Sequence, residues 1–298
     1  MKIRFWGTRG SIPTPGKHTV RYGGNTPCIE VRLRDNKLLI FDAGTGIRGL
    51  GDLLMKKRER VKASIIISHP HWDHIQGLPY FRPAFVSGTD LTIIGPKTKH
   101  VTLKRIFADQ MDNVYFPVKL SELKANIKFR PITEGTISIQ GAKLSSIYVN
   151  HPASAFGYRL DYKGSSLVYI SDNEPFDRDI AASMRNVDKK IVRRYAATKG
   201  DPNNRVYEFA RDADILIHDA TYTPQQYANR VGWGHSHYRF TMQVAHQANV
   251  KRLVLFHHDQ THSDTQVDAI LRECRREIKR RNFKFDCVAA AEGMRLQC

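Results

Sequence analysis

The most informative stretch of the chain is Ser68-His69-Pro70-His71-Trp72-Asp73-His74, which directly follows a short apolar run typical of a buried strand. Alternate side chains of an extended segment point the same way, so His69 and His71 are expected to project together as two ligands of one metal. Asp73 and His74 follow where the chain turns towards a helix, within reach of a second metal. Imidazole and carboxylate groups suit zinc, manganese or iron. Four such groups in six positions predict a metal site rather than packed core residues.

Three further candidate ligands lie at the ends of predicted strands downstream. His151 follows the β-like run at 144–149, Asp172 follows the run at 166–170, and His257 follows the apolar run at 253–256. The register of that last run favours His257 over the adjacent His258. If these strands share one sheet edge, all seven candidate ligands converge there.

Short β-like runs and helix-like segments alternate along the whole chain and predict one α/β domain spanning residues 1–298. The predicted strands are residues 2–6, 28–33, 38–41, 64–67, 91–94, 136–140, 144–149, 156–160, 166–170, 215–218 and 253–256. The predicted helices are residues 207–212, 241–248 and 264–281. In the last helix apolar residues recur at helical spacing, the other face is basic, and Asp264 is the expected N-cap.

Composition limits the classes of protein to which the chain can belong. Its 298 residues include 14 Phe, 12 Tyr and 3 Trp, enough to build a sizeable core and to exclude disorder as the main state. No apolar run approaches the length of a membrane span, and no signal segment opens the chain. The four cysteines are far apart, which excludes a disulfide framework or a cysteine zinc site. We therefore expect a cytoplasmic protein without membrane contact.

Charge is the one unusual feature of the composition. The formal net charge is +18 at pH 7, which favours an anionic partner such as a nucleotide, a nucleic acid or an anionic lipid, although a basic surface that serves solubility alone would look the same. Two inserts, near residues 97–128 and 185–199, are strongly basic. Because charge runs without a motif are common, we predict solvated helix faces or loops there rather than nucleic-acid arms.

The order of candidate ligands, His-x-His-x-Asp-His followed by a separate His, Asp and His, resembles the metallo-β-lactamase fold of binuclear metallohydrolases over essentially the whole chain. The resemblance implies a four-layer αββα sandwich with two mixed β-sheets. It also implies two divalent metal ions, with zinc as the first choice and manganese or iron as alternatives. The implied ligands of the first ion are His69, His71 and His151, and those of the second are Asp73, His74 and His257. Asp172 is implied to bridge the two ions. Asp42 in the Phe41-Asp42-Ala43-Gly44 loop resembles the aspartate that supports the metal loop without ligating.

Two further motifs resemble those of ribonuclease Z and its phosphodiesterase relatives: His218-Asp219-Ala220-Thr221 and Gly234-His235-Ser236-His237. The resemblance implies that His235 lies near the scissile phosphate and is oriented by Asp219, where the ribonuclease pattern has Glu. His237 in the same motif is predicted to contact substrate.

The segment Phe5–Pro13, which contains Arg9, also resembles the start of this branch. Arg9 is predicted to lie near an anionic substrate, with a plain turn as the alternative.

The predicted activity is hydrolysis of a small, cyclic phosphodiester by a metal-bridging hydroxide that Asp73 and Asp172 position, with His235 either stabilising the phosphorane or protonating the leaving oxygen. Asp172 follows His151 by only 21 residues, whereas ribonuclease Z proteins commonly carry a tRNA-gripping arm in that interval. RNA or DNA cleavage of the ribonuclease Z type is the alternative that the net charge supports. A non-catalytic nucleotide-binding sensor on the same fold is a further alternative. A homodimer is compatible with the resemblance.

Overall fold

The computed structural model describes residues 1–57, 60–176, 197 and 200–298. Within these residues the chain forms two compact units, each built on its own seven-stranded sheet. The first unit comprises Met1–Pro15, Gly23–Thr133 and Ala291–Gln297, and the second comprises Gly16–Tyr22, Glu134–Ala290 and Cys298.

The sheet of the first unit is mixed. Its strands are β1 (Lys2–Gly7), β2 (Cys28–Arg32), β3 (Leu38–Phe41), β4 (Lys62–Ile66), β5 (Asp90–Pro96), β6 (Asn126–Ile132) and β14 (Arg295–Gln297). In the order β14-β1-β2-β3-β4-β5-β6, neighbours from β14 to β3 are antiparallel and neighbours from β3 to β6 are parallel. The ends of β3 and β4 therefore lie side by side, with Phe41 opposite Ile66.

Three helices of the first unit are α1 (Gly46–Lys56), α2 (Trp72–Ile75) and α3 (Leu103–Asp109). Single 3₁₀ turns occur at Arg34–Asn36, Leu78–Tyr80, Arg82–Phe85 and Leu120–Glu122. Helix α1 buries Ile47, Leu50 and Leu54, which recur at the spacing of one helix face, in a core shared with Ile65 of β4 and Ile93 of β5. This core fixes the strand ends from which the candidate ligands extend.

The sheet of the second unit is also mixed. Its strands are β7 (Gly135–Ile139), β8 (Ala142–Tyr148), β9 (Phe156–Tyr162), β10 (Ser165–Ile170), β11 (Ile215–Asp219), β12 (Arg252–Phe256) and β13 (Asp286–Ala289). In the order β13-β12-β11-β10-β9-β8-β7, the four strands from β13 to β10 are parallel and the remaining neighbours are antiparallel. Since β8 and β10 both pair antiparallel with β9, the carboxyl ends of β8, β10, β11 and β12 share one edge.

Among its described residues, the second unit has the helices α4 (Asn204–Ala210), α5 (Pro224–Tyr227), α6 (Tyr238–Gln247) and α7 (Asp264–Arg281). The prediction that Asp264 caps α7 is wrong. Ser263 is the N-cap and forms a capping box with Gln266, because its hydroxyl accepts from the Gln266 N–H while the Gln266 side chain accepts from the Ser263 N–H. The carboxylate of Asp264 instead accepts the backbone N–H groups of Arg21 and Tyr22.

The prediction of an α/β fold with two mixed β-sheets is confirmed, and every predicted strand and helix has a counterpart with modest shifts at its ends. The sequence analysis missed β6, β13 and β14 and the short helices of the first unit. The basic insert at 97–128 contains α3 and the start of β6, while the insert at 185–199 lies outside the described residues except for position 197. The single-domain organisation stays a prediction. None of the helices in the described part of the chain has the length and apolar character needed to cross a membrane.

Candidate metal centre

The first group of candidate ligands, called the first cluster, comprises His69, His71, Asp73 and His74 in the loop and short helix after β4. The backbone leaves β4 extended, and His71 is the N-cap of α2, with φ −66° and ψ 150°. The helix then turns Asp73 and His74 back towards His69. Rings of His69 and His71 lie 4.5 Å apart between centroids, and those of His69 and His74 lie 4.2 Å apart.

Asp42, which follows the end of β3, stabilises this loop through hydrogen bonds. Its buried carboxylate accepts the Ser68 N–H (2.7 Å) and the Ser68 hydroxyl (2.8 Å), and it lies 2.8 Å from Nδ1 of His74. Because a carboxylate only accepts hydrogen bonds, Nδ1 of His74 must carry the proton, and Nε2 then presents a lone pair. A carboxylate behind an imidazole in this way is typical of a metal-ligating histidine.

The remaining members of the first cluster surround that nitrogen. Asp73 Oδ2 lies 3.2 Å from His74 Nε2 and also accepts the Ser11 N–H at 2.9 Å. One ring nitrogen of His69 and one of His71 lie within 4.8 Å of each other, as two ligands of one ion would. His69, Asp73 and His74 are buried, whereas His71 is exposed. The sequence expectation that His69 and His71 project together agrees with this geometry.

The second group, called the second cluster, comprises His151, Asp172, His235 and His257 at one edge of the second sheet. Asp172 lies at its centre: its Oδ2 is 3.9 Å from His151 Nε2 and 3.6 Å from His235 Nδ1, and its Oδ1 is 3.4 Å from His257 Nε2. The rings of His235 and His257 stack with centroids 4.9 Å apart. Strands β8, β10 and β12 each deliver one of these residues because their carboxyl ends share the edge.

Protein acceptors also orient the histidines of the second cluster. Nδ1 of His151 lies 2.9 Å from the Gly234 carbonyl, which can only accept, so the proton is on Nδ1 and Nε2 faces Asp172. Nδ1 of His257 lies 3.1 Å from the hydroxyl of Thr221. The adjacent His258 instead bonds through Nε2 to the Ala290 carbonyl at 2.9 Å, on the side of a buried tyrosine ring. Of the two neighbours, the structure therefore brings His257 to the cluster.

Asp219, at the end of β11, organises the loop that carries His235. Its buried carboxylate accepts N–H groups from Asn173, Thr221 and Ser236 and the hydroxyl of Thr221, and its Oδ2 lies 3.4 Å from His235 Nδ1. The shorter aspartate thus reaches the histidine that the sequence pairs with it. The preceding His218 is fully buried, and burial lowers the pKa of its imidazole.

Two predicted substrate contacts have other partners in the structure. Arg9 is fully buried, and its Nε–H donates to the Gly23 carbonyl at 2.8 Å, which favours the plain-turn alternative for this residue. His237 is the N-cap of α6: its Nδ1 accepts the Phe240 N–H at 3.2 Å, and its ring packs 5.0 Å from that of Tyr227. Burial, followed by the charge of Arg239, lowers the pKa of His237. Contact of either residue with substrate stays a prediction.

The sequence analysis missed Glu174, a buried carboxylate two residues after Asp172. Its Oε1 accepts the Tyr227 hydroxyl (3.0 Å) and the Gly232 N–H (2.7 Å), and its Oε2 accepts the Gly234 N–H (2.8 Å). Burial raises its pKa, against the lowering effect of these hydrogen bonds. The signal available in the sequence was a third polar residue in Asp172-Asn173-Glu174 where the apolar strand ends.

The donor set of each cluster fits divalent metal ions. Both contain buried imidazoles and carboxylates, the ligands that zinc, manganese and iron prefer. His74, His151 and His257 are each oriented through Nδ1 by a protein group, which leaves Nε2 as the ligating atom.

A comparison with protein families identifies the chain. Residues 37–258 match the family described as Beta-lactamase superfamily domain, a stretch that includes every candidate ligand. The chain belongs to this superfamily. Among its relatives, the Ribonuclease Z of Picrophilus torridus is 28% identical over 300 residues, covering 89% of this chain and 88% of the relative.

Solved structures agree with the superfamily assignment. The short form of human tRNase Z superposes with a TM-score of 0.64 at 21% identity, covering 100% of this chain and 99% of the other. A diphosphatase from the PhnP family superposes with a TM-score of 0.62 at 18% identity, covering 100% and 97%. These likenesses confirm the predicted class of sandwich fold. The protein is a metal-dependent hydrolase, and the superfamily and the two clusters together imply divalent metals.

Proposed function

We propose that the protein is a binuclear metal-dependent phosphodiesterase that hydrolyses a small, cyclic phosphodiester. In this proposal the first cluster and the His151, Asp172 and His257 side chains of the second hold two divalent ions, zinc in the first place. His69, His71 and His151 would hold one ion, Asp73, His74 and His257 would hold the other, and Asp172 would be a ligand shared by both. The support is the donor chemistry of the two clusters, the orientation of their histidines and the resemblance of the motifs.

The observation that carries the choice of a small substrate is the compact chain between His151 and Asp172. This stretch contains a short loop, β9, the tight turn at Lys163 and Gly164, and β10, and both strands belong to the sheet. Ribonuclease Z proteins commonly insert their tRNA-gripping arm in this interval. Here two sheet strands and their short connections fill the interval and leave no room for an inserted arm, which favours a substrate that needs none.

The metal pair, when bound, would supply an activated water and positive charge to offset the charge that builds up on phosphorus. The protein contributes the remaining groups. Asp73 and Asp172 would fix the direction of attack, and Asp219 holds Nδ1 of His235, so Nε2 is the nitrogen that would donate a proton to the leaving oxygen.

Cleavage of RNA is the second candidate, and two observations favour it. Relatives that cover almost the whole chain are named Ribonuclease Z, and the net charge of +18 would attract a polyanion. Basic residues at 97–128 would then contact the phosphate backbone rather than solvent.

A side-by-side hydrolysis assay of the metal-loaded protein tests the proposal. The substrates are 3′,5′- and 2′,3′-cyclic nucleotides, a structured RNA and a single-stranded DNA, with His74→Ala as the inactive control and metal content measured for both proteins. Turnover confined to the cyclic nucleotides, with two metals per chain, is the expected result.

Other outcomes separate the alternatives. Cleavage of the polymers alone, weakening steeply with salt, would overturn the small-substrate proposal in favour of a nuclease. Nucleotide binding without turnover would indicate the sensor. Equal turnover by wild type, His74→Ala and Asp172→Ala would exclude these clusters as the catalytic centre.

A further inference from the structure

The loop before His235 is held rigidly yet presents a large aromatic side chain to solvent. Gly232 and Gly234, on either side of Trp233, both adopt positive φ angles, +87° and +85°. Both oxygens of the buried Glu174 carboxylate are used on this loop, one accepting the Gly232 N–H and the other the Gly234 N–H. The Gly234 carbonyl accepts from His151 Nδ1. The backbone on both sides of the tryptophan is therefore fixed by buried groups.

Trp233 itself is 61% exposed, two residues before His235. Exposing an indole leaves a large apolar surface in water, and the hydrogen bonds to Glu174 fix the backbone from which this ring projects. The exposure is thus a property of the folded loop. An exposed indole two residues before His235 is suited to stacking on another flat ring.

The surroundings of Trp233 indicate the chemistry of that ring. The guanidinium of Arg230 lies 5.9 Å from the centroid of the Trp233 ring and 5.2 Å from that of Tyr222. Tyr222 in turn lies 5.9 Å from the His235 ring. A cation between aromatic faces, close to the histidine assigned to the leaving oxygen, suits a ligand that combines an anionic phosphate with a flat base.

We propose that Trp233 stacks on the nucleobase of the substrate, so that the enzyme selects nucleotides over phosphodiesters without a base. This inference rests on the proposed phosphodiesterase function and names its substrate class. Arg230 supports the stack through its charge and its contact with the indole. The base is held outside the reacting centre, so Trp233 acts on substrate affinity rather than on the chemical step.

Steady-state kinetics of the metal-loaded enzyme test this. The substrates are 2′,3′-cyclic AMP and a ribose 2,3-cyclic phosphate that carries a methyl group in place of the base. For Trp233→Ala we expect kcat/KM for the nucleotide to fall roughly tenfold, mainly through KM, because base stacking on an aromatic side chain contributes this much. The base-free substrate should be unaffected, and Trp233→Phe should retain most of the activity. Tyr115→Ala, which removes another exposed aromatic ring, is the matched control.

Two kinetic outcomes would overturn the proposal. Equal losses on both substrates would assign Trp233 to the structure of the loop, and equal activity on both would remove it from substrate recognition.

Fluorescence gives a test that does not depend on turnover. The chain has three tryptophans. Besides Trp233 these are Trp6, whose indole N–H donates a hydrogen bond to Glu30, and the exposed Trp72, which lies between His71 and Asp73 of the first cluster. We expect AMP to quench the emission of the metal-loaded protein, ribose 5-phosphate to leave it unchanged, and Trp233→Phe but not Trp72→Phe to abolish the quenching. Absence of quenching, or its loss in Trp72→Phe alone, would refute base stacking on Trp233 even if the phosphodiesterase activity is found.

Discussion

The two clusters of candidate ligands use the same kinds of side chain but are assembled in opposite ways. All four members of the first cluster come from six consecutive positions after β4. The second cluster collects residues that are far apart in sequence, because β8, β10 and β12 end at the same edge of their sheet. A local motif thus defines one cluster and sheet topology defines the other.

The groups that orient the histidines differ as well. In the first cluster the buried carboxylate of Asp42 holds both Ser68 and His74. In the second cluster the groups that orient His151 and His257 are neutral, a carbonyl and a hydroxyl, and the carboxylate of Asp219 lies beside His235 instead. Hydrogen bonds to a charged acceptor are roughly twice as strong as neutral ones, so the first cluster depends more heavily on a single support.

The largest expected effect concerns whether the two clusters serve one centre. His74→Ala and Asp172→Ala should each lower kcat/KM more than about a hundredfold, since changes to orienting groups alone cost 10–100-fold. The double variant should be no worse than either single variant, because residues that act as a unit are strongly non-additive. Hydrolysis rates and bound metal of the three variants measure this. Additive losses would mean that the clusters act separately.

The next effect compares the two kinds of support. Asp42→Asn keeps the shape of the side chain but removes the charge behind His74, and we expect metal affinity to fall by about 10–100-fold. Thr221→Val removes a neutral acceptor behind His257, so we expect a loss at the lower end of that range or below it. Competition with a chelator gives both affinities. A larger loss in Thr221→Val would reverse the ranking of the two supports.

A smaller effect is expected from the glycines around Trp233, which form a matched pair. Gly232→Ala meets only the backbone strain of a positive φ, because no atom lies within 4 Å of the added Cβ, and should lower the free energy of unfolding by about 1–2 kcal/mol. Gly234→Ala has the same strain, and its Cβ would lie 2.3 Å from Nδ1 of His151. We expect it to lose more stability and also metal affinity.

Chemical denaturation and metal titration of the two glycine variants provide the measurement. Equal losses of stability, with metal affinity unchanged in both, would show that His151 is not constrained by this loop.

The same contrast explains what the sequence could predict. The first cluster and the strands around it were predictable because a metal motif follows directly on an apolar strand, and short apolar runs marked the neighbouring strands. Strand β6 alternates polar and apolar side chains, but it begins inside the basic insert at 97–128, which we predicted to be solvated. Strands β13 and β14 are too short to carry a clear pattern, and so all three were missed. Asp172 and His257 were predictable only on the assumption that their strands share an edge, which the parallel pairing of β10 to β12 bears out.

Supporting residues were the hardest to predict. Glu174 binds the loop that carries Gly234, and Thr221 contacts His257 although the two lie 36 positions apart. The sequence placed Thr221 in a motif and Glu174 after a strand, but it did not indicate either contact. Arg9 shows the converse, because a charged residue in a glycine-containing segment suggests an anion contact, whereas the structure buries its side chain against a backbone carbonyl. Burial of a cation depends on packing that spacing in sequence does not reveal.

The smallest effect concerns pH and separates the capping role of His237 from a role in substrate binding. Burial lowers the pKa of His237 in the folded protein, so the unfolded chain binds more protons below its ordinary pKa, near 6.5. The contribution to the free energy of unfolding is therefore complete above that pH and is lost as the pH falls from about 6.5 towards the lower folded-state pKa. Protonation would also remove the lone pair that accepts the Phe240 N–H.

His237→Asn keeps an N-cap acceptor for α6 but cannot titrate. In the metal-free protein we expect its stability to decline less than that of wild type between pH 7 and 5, by a few tenths of a kcal/mol because the ring is partly exposed and screened. His218, whose pKa burial also lowers, is present in both proteins and cancels in the difference. Denaturation midpoints at each pH measure this. If wild type and His237→Asn lose stability equally as the pH falls and the variant has a raised KM, His237 contacts the substrate rather than capping the helix.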